Sequence, residues 1–220
     1  LGIVLTVLIS VLVKRNPEEL LNQANELYLA GSYTQAIDLY GEYLKNYSEK
    51  SGSSTARIKL GLAKMRQATS QSGNWPKALE VASQELEQIS GIDEFVTEAR
   101  ADLTAMLPDI ADGLSQLALK ELDSAVVEMS VDALALVEKY VPSSARPVTR
   151  LTDIRGRLDV ARREIARGQK LQEAIAAMKQ AVGEGQTERA YQARRTLLKE
   201  YPTLIRNAQL RTAVLAVSQA

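Results

Sequence analysis

Three stretches of this chain repeat one pattern of residue types at fixed offsets, and that repetition limits the possible folds more than any other feature of the sequence. Gly31, Tyr33, Ala36, Leu44 and Tyr47 recur as Gly73, Trp75, Ala78, Leu86 and Ile89, and again as Gly185, Thr187, Ala190, Leu198 and Tyr201. A glycine permits a tight turn. The small alanine lets a second helix approach a first, and the leucine and the large residue beyond it close an apolar seam. Before the first glycine, Leu20, Ala24, Leu27 and Tyr28 fall at i, i+4, i+7 and i+8, one buried face of a helix that opens on the cap Asn16–Pro17. Two helices joined by so short a turn form an αα-hairpin, and hairpins recurring along a chain stack on one another.

In the first copy, Leu20, Ala24, Leu27, Gly31, Tyr33, Ala36 and Tyr40 resemble the signature of the tetratricopeptide repeat (TPR) family, with Ser48 in place of its terminal proline. The last copy keeps that proline as Pro202 but carries Arg194 where an aromatic is usual. The second copy offers Leu60 and Gly61 for the family's Leu-Gly pair, five residues farther from Gly73 than the consensus, which implies an extended first helix. The resemblance implies an all-α, antiparallel helix-hairpin (TPR-like) right-handed solenoid over 16–220, with clear copies at about 17–48, 56–90 and 171–202 and a degenerate middle at 92–168. The first copy is also similar to bacterial envelope repeats, those of outer-membrane assembly lipoproteins and of the periplasmic coordinator of the Tol-Pal system.

Low aromatic content, 5%, and few prolines favour helices, and no segment alternates as a strand does. Roughly ten helices of ordinary length are expected after residue 16. Pro108 should kink or break a helix, residues 141–147 read as the clearest internal loop and the Ser-rich stretch 49–54 as the next, and Lys120, Leu122 and Ala125 as the relic of a turn. The last helix, 204–220, is expected to cover the end of the stack.

Residues 1–13 read LGIVLTVLISVLV and are followed by Lys14 and Arg15. An uncharged apolar run of this kind predicts the C-terminal part of a transmembrane helix, since a span needs about 20 apolar residues. The expected placement is a single-pass membrane protein, its repeats on the extracytoplasmic side of a bacterial inner membrane.

Cys and His are both absent, which removes thiolate nucleophiles, disulfides, imidazole ligands and Ser-His-Asp chemistry together. No GxxxxGK[ST] loop, GxGxxG turn or DxDxDG run is present, so no catalytic residue, cofactor, metal or small-molecule substrate is assigned. The charge balance of 27 basic against 27 acidic residues gives no overall field for nucleic acid. Asn46, Tyr47 and Ser48 match the glycosylation triplet, but Tyr47 belongs to the hairpin seam.

What remains is protein binding. Some TPR domains grip a C-terminal carboxylate through Lys and Asn on the first helix of a repeat; the matching positions carry Leu21 and Asn25, so the asparagine alone is kept. Tyr28, Tyr33, Tyr40, Tyr43 and Tyr47 crowd into one repeat, most as seam packing, with Tyr28 expected to face a partner. Residues 16–54 hold six acidic and two basic residues, net −4, whereas 146–170 hold eight basic and three acidic, net +5. The arginines there, Arg150, Arg155, Arg157, Arg162 and Arg163, suit an acidic partner or the anionic leaflet of a membrane. The expected function is a membrane-tethered scaffold that binds partner proteins on a helical-repeat groove, with Asn25, Tyr28, Arg155, Arg162 and Arg163 as contacts. The alternatives are an anchor or spacer region of a larger enzyme or sensor, and a self-assembling structural envelope protein.

Overall fold

The described residues fold as helices joined by short turns. A computed structural model, which describes residues 16–70 and 73–218, contains nine α-helices, two short 3-10 segments and, among those residues, no strand. In order they are α1 (Pro17–Leu29), α2 (Tyr33–Tyr47), α3 (Ser53–Ser70), α4 (Trp75–Ile89), α5 (Phe95–Glu121), α6 (Ser124–Tyr140), a 3-10 segment (Ser143–Ala145), α7 (Val148–Gly183), α8 (Thr187–Glu200), a second 3-10 segment (Pro202–Arg206) and α9 (Ala208–Ser218).

The helix starts follow local chemistry. Asn16 caps α1, its side-chain oxygen accepting from the Glu18 amide at 3.0 Å, and Pro17 occupies the first turn, where a missing N–H costs nothing. The three repeated glycines all turn the chain in the left-handed region, at φ 76°, 90° and 70°, and a helix begins two residues after each. Ala36, Ala78 and Ala190, five residues past each glycine, are fully buried. Leu86 closes its seam as expected, but Leu44 and Leu198 are only half-buried, and Tyr43 and Leu197 close theirs one residue earlier. The step from the alanine to those positions is seven residues, two helical turns, which keeps them on one face.

Internal packing divides the chain into two compact units, Leu1–Gln116 with Glu128–Arg155, and Leu117–Val127 with Gly156–Ala220. In the first, α1 packs on α2, α2 on α3 and α3 on α4. Close approach is achieved at glycines: a Cβ on Gly61 would meet Ile89 at 3.0 Å, and one on Gly113 would meet the Trp75 indole at 2.1 Å. The extension of α3 is present, 18 residues against 13 in α1. In the second unit, Leu171, Ile175 and Met178 of α7 form one apolar cluster with Leu197 of α8, Leu204, and Leu210, Ala213 and Val217 of α9.

Three expectations need correction. Pro108 does not break its helix: α5 runs through it for 27 residues. Proline removes one backbone hydrogen bond, but Leu103, Met106, Leu107, Ile110, Ala111 and Leu114 on either side are almost wholly buried, and that burial outweighs the loss. The segment from 171 does not open a helix either; it is the tail of the 36-residue α7, whose internal Gly156 and Gly168 lower helix propensity without supplying a stop. The single-pass membrane placement is also corrected, because among the described residues no helix is long and apolar enough to cross a membrane. The two longest, α5 and α7, carry charged side chains along their lengths. The apolar run at 1–13, on which that placement rested, lies outside the described residues.

Candidate functional site

In the first unit, α1, α3 and α5 bring together a set of polar side chains that apolar packing alone would not gather. Tyr40, fully buried on α2, donates its hydroxyl to Asn25 Oδ1 at 2.7 Å. That bond fixes the half-buried Asn25 amide in one orientation and leaves its N–H donors for other acceptors. One turn along α1, Tyr28 is 7% exposed, and its buried hydroxyl lies near Arg66 and Asp102 but makes no hydrogen bond of ordinary geometry among the described residues. Tyr33 meets the Tyr28 ring edge-on at 5.7 Å between centroids, and the Lys59 ammonium lies 5.5 Å from that ring's centre.

Lys59 and Arg66 share a face of α3 two turns apart, and Glu98 and Asp102 share a face of α5 one turn apart. Each cation meets a carboxylate. Arg66 donates through Nε at 3.1 Å and Nη2 at 2.7 Å to Asp102 Oδ1, and Lys59 Nζ stands 3.5 Å from Glu98 Oε2. Burial works against the Arg66 charge, yet the hydrogen bond and charge of Asp102 outweigh it and hold the guanidinium pKa above its usual value. Burial, reinforced by Asp102, pushes Tyr28 and Tyr40 far above the ordinary phenol range, so both remain neutral hydroxyls. The cluster therefore presents fixed donors, acceptors and charges. Among the described residues no group of three or more acidic side chains is placed to hold a metal ion.

Of the residues expected to meet a partner, Asn25 and Tyr28 come together here, Asn25 at the half-exposed edge and Tyr28 beneath it. The arginines stand apart from this cluster. Arg155, in the first unit, pairs with Glu138 at 2.8 Å. In the second unit Arg162 lies 3.7 Å from Asp159, and Arg163 is exposed without an ion pair among the described residues. Sequence reasoning missed Lys59, Arg66, Glu98 and Asp102. Their signal was present as cations at i, i+7 on one helix and carboxylates at i, i+4 on another, but nothing local says that the two stripes face each other.

A groove of the second unit, about 480 Å³ between α7 and α8, has Ala174, Ala181 and Leu197 in its floor. Charges at its rim are already satisfied within the chain, Lys170 by Glu173 at 2.8 Å and Arg189 by Glu184 at 3.4 Å. No protein-family model matches the chain, and no curated protein is significantly similar to it.

Proposed function

We propose that this chain is a TPR-like helical-repeat protein, its hairpins stacked as a right-handed solenoid, that binds partner proteins on the face built by α1, α3 and α5. The observation that carries the reading is the Asn25 amide, held by Tyr40 beside two interhelical ion pairs. Donors fixed in advance lose little entropy on binding, which is what a docking surface for a peptide backbone requires. Tyr28 acts from below, filling the space under Lys59 and keeping the face rigid. The identical glycine turns support the repeat reading, since a hairpin cannot bury its own apolar face alone.

Arg162 and Arg163, in the second unit, offer an acidic partner further contacts, and Arg155, in the first, offers a separate one. Among the described residues Arg163 has no ion pair to give up on binding, whereas Arg155 has to exchange Glu138.

The test is site-specific photo-cross-linking of the full chain from position 25 or 59, with position 84 on the exposed side of α4 as control. A protein trapped from 25 and 59 but not from 84, whose measured affinity falls about tenfold in Asn25→Ala, supports the proposal. The same proteins from all three positions, or further copies of this chain alone, would remove it.

A further inference from the structure

The third glycine turn differs from the other two nine residues past its glycine. Nine residues past the glycine stand Tyr40 and Ala82 in the first two copies, both fully buried, but Arg194 in the third. Arg194 is half-buried, and neither an ion pair nor a side-chain hydrogen bond engages it among the described residues. A guanidinium in an apolar seam is unfavourable unless something pairs it. Around it the seam opens into a pocket of about 180 Å³ lined by Arg194, Ile205, Leu210, Arg211, Val214 and Leu215. Arg211 is likewise without a side-chain partner among the described residues, so two unneutralised cations share one cavity.

The apolar walls are open. Ile205 is 55% and Leu215 60% exposed, with half-buried Val214 between α9's core residues and the solvent. The volume falls below that of ordinary small-molecule sites and suits one large side chain. Two guanidiniums at an apolar hole ask for carboxylates beside that side chain. Residues 187–218 as a whole hold six basic and two acidic residues, a net of +4, so the surrounding field points the same way. Arg211 and Leu215, one turn apart on α9, present charge and apolar wall on a single face.

We infer that the pocket between α8, the second 3-10 segment and α9 is a docking site for an acidic partner segment that inserts one large apolar side chain flanked by carboxylates. It is independent of the α1, α3 and α5 face and stands whether or not that face binds a partner.

Fluorescence anisotropy of the full chain with a labelled synthetic peptide, leucines along one stripe bordered by glutamates, tests it. Saturable binding is expected, weakened about tenfold or more by Arg194→Gln, by Arg211→Gln, by replacing the peptide's glutamates with glutamine and by replacing its leucines with serine, but not by Asn25→Ala. Raising the salt to about 0.5 M should weaken it also, since surface charges are then screened. Leu215→Ser, at an exposed site that should leave the fold intact, should reduce binding with an unchanged melting temperature. Absence of saturable binding, or binding indifferent to both arginine substitutions, overturns the inference. So does self-association of the unliganded chain that Leu215→Ser abolishes, which would make this face an interface between copies, or retention on phosphatidylserine vesicles through the same arginines without peptide binding.

Discussion

Two tyrosines of the first repeat share burial but differ in what their hydroxyls meet, and that difference sets opposite expectations for the same substitution. Tyr40→Phe removes the donor to Asn25 and should cost about 1 kcal/mol in denaturant unfolding. Tyr28→Phe deletes a buried hydroxyl that makes no hydrogen bond of ordinary geometry among the described residues, so stability should stay the same or rise slightly. Both phenols have folded pKa values above the 10.0 of an unfolded tyrosine. Above pH 10 the unfolded chain releases these protons while the folded chain keeps them. The stability they contribute is therefore complete below pH 10 and falls as pH rises beyond it, by about 1.4 kcal/mol per pH unit for each tyrosine. A pH series of unfolding curves should show this fall, and the double variant Tyr28→Phe/Tyr40→Phe should flatten it. At this scale the sequence was informative wherever a residue's role is local: the turn glycines and the Asn16 cap follow from backbone conformation and nearest neighbours. Arg66 and Asp102, 36 residues apart, could not be paired before the helices were placed.

The connection between α5 and α6 is the least comfortable turn of the described chain, because Leu122 takes φ 54°, where a side chain crowds the following carbonyl. Its flanking turn was legible from the relic at Lys120, Leu122 and Ala125; nothing in the structure explains why leucine fills the strained position. Leu122→Gly should relieve about 1 kcal/mol of strain, less a part returned as extra freedom of the unfolded chain, and the net gain would appear as a shift in the denaturation midpoint. The last helix tests the same level of organisation. Removing α9 takes away Leu210, Ala213 and Val217, which are buried on α7, α8 and the 3-10 segment, and should destabilise the second unit by several kcal/mol and promote aggregation. A shortened chain with an unchanged melting temperature and no change in light scattering would contradict this. Helices α1 to α4 were readable because each pair is bounded by a glycine turn; α5 and α7 were not, since an internal proline or glycine is a stop signal only when burial on either side does not override it.

For the whole molecule, an apolar stripe shows that a helix is buried but not against which partner, so the division into two units could not be foreseen. Helices α5, α6 and α7 each contribute residues to both units, and no linker composition marks the boundary. The sequence does, however, supply a single tryptophan, and it stands at the head of α4 against Gly113 of α5, within the first unit. Its emission should shift to the red when α4 leaves α5, with no contribution from residues 156–220. Far-ultraviolet circular dichroism, by contrast, registers the loss of helix everywhere. A single-site reporter and a chain-averaged one are thus built into the same polypeptide, and the interval between their melting curves would measure the cooperativity joining its two halves without any label being attached.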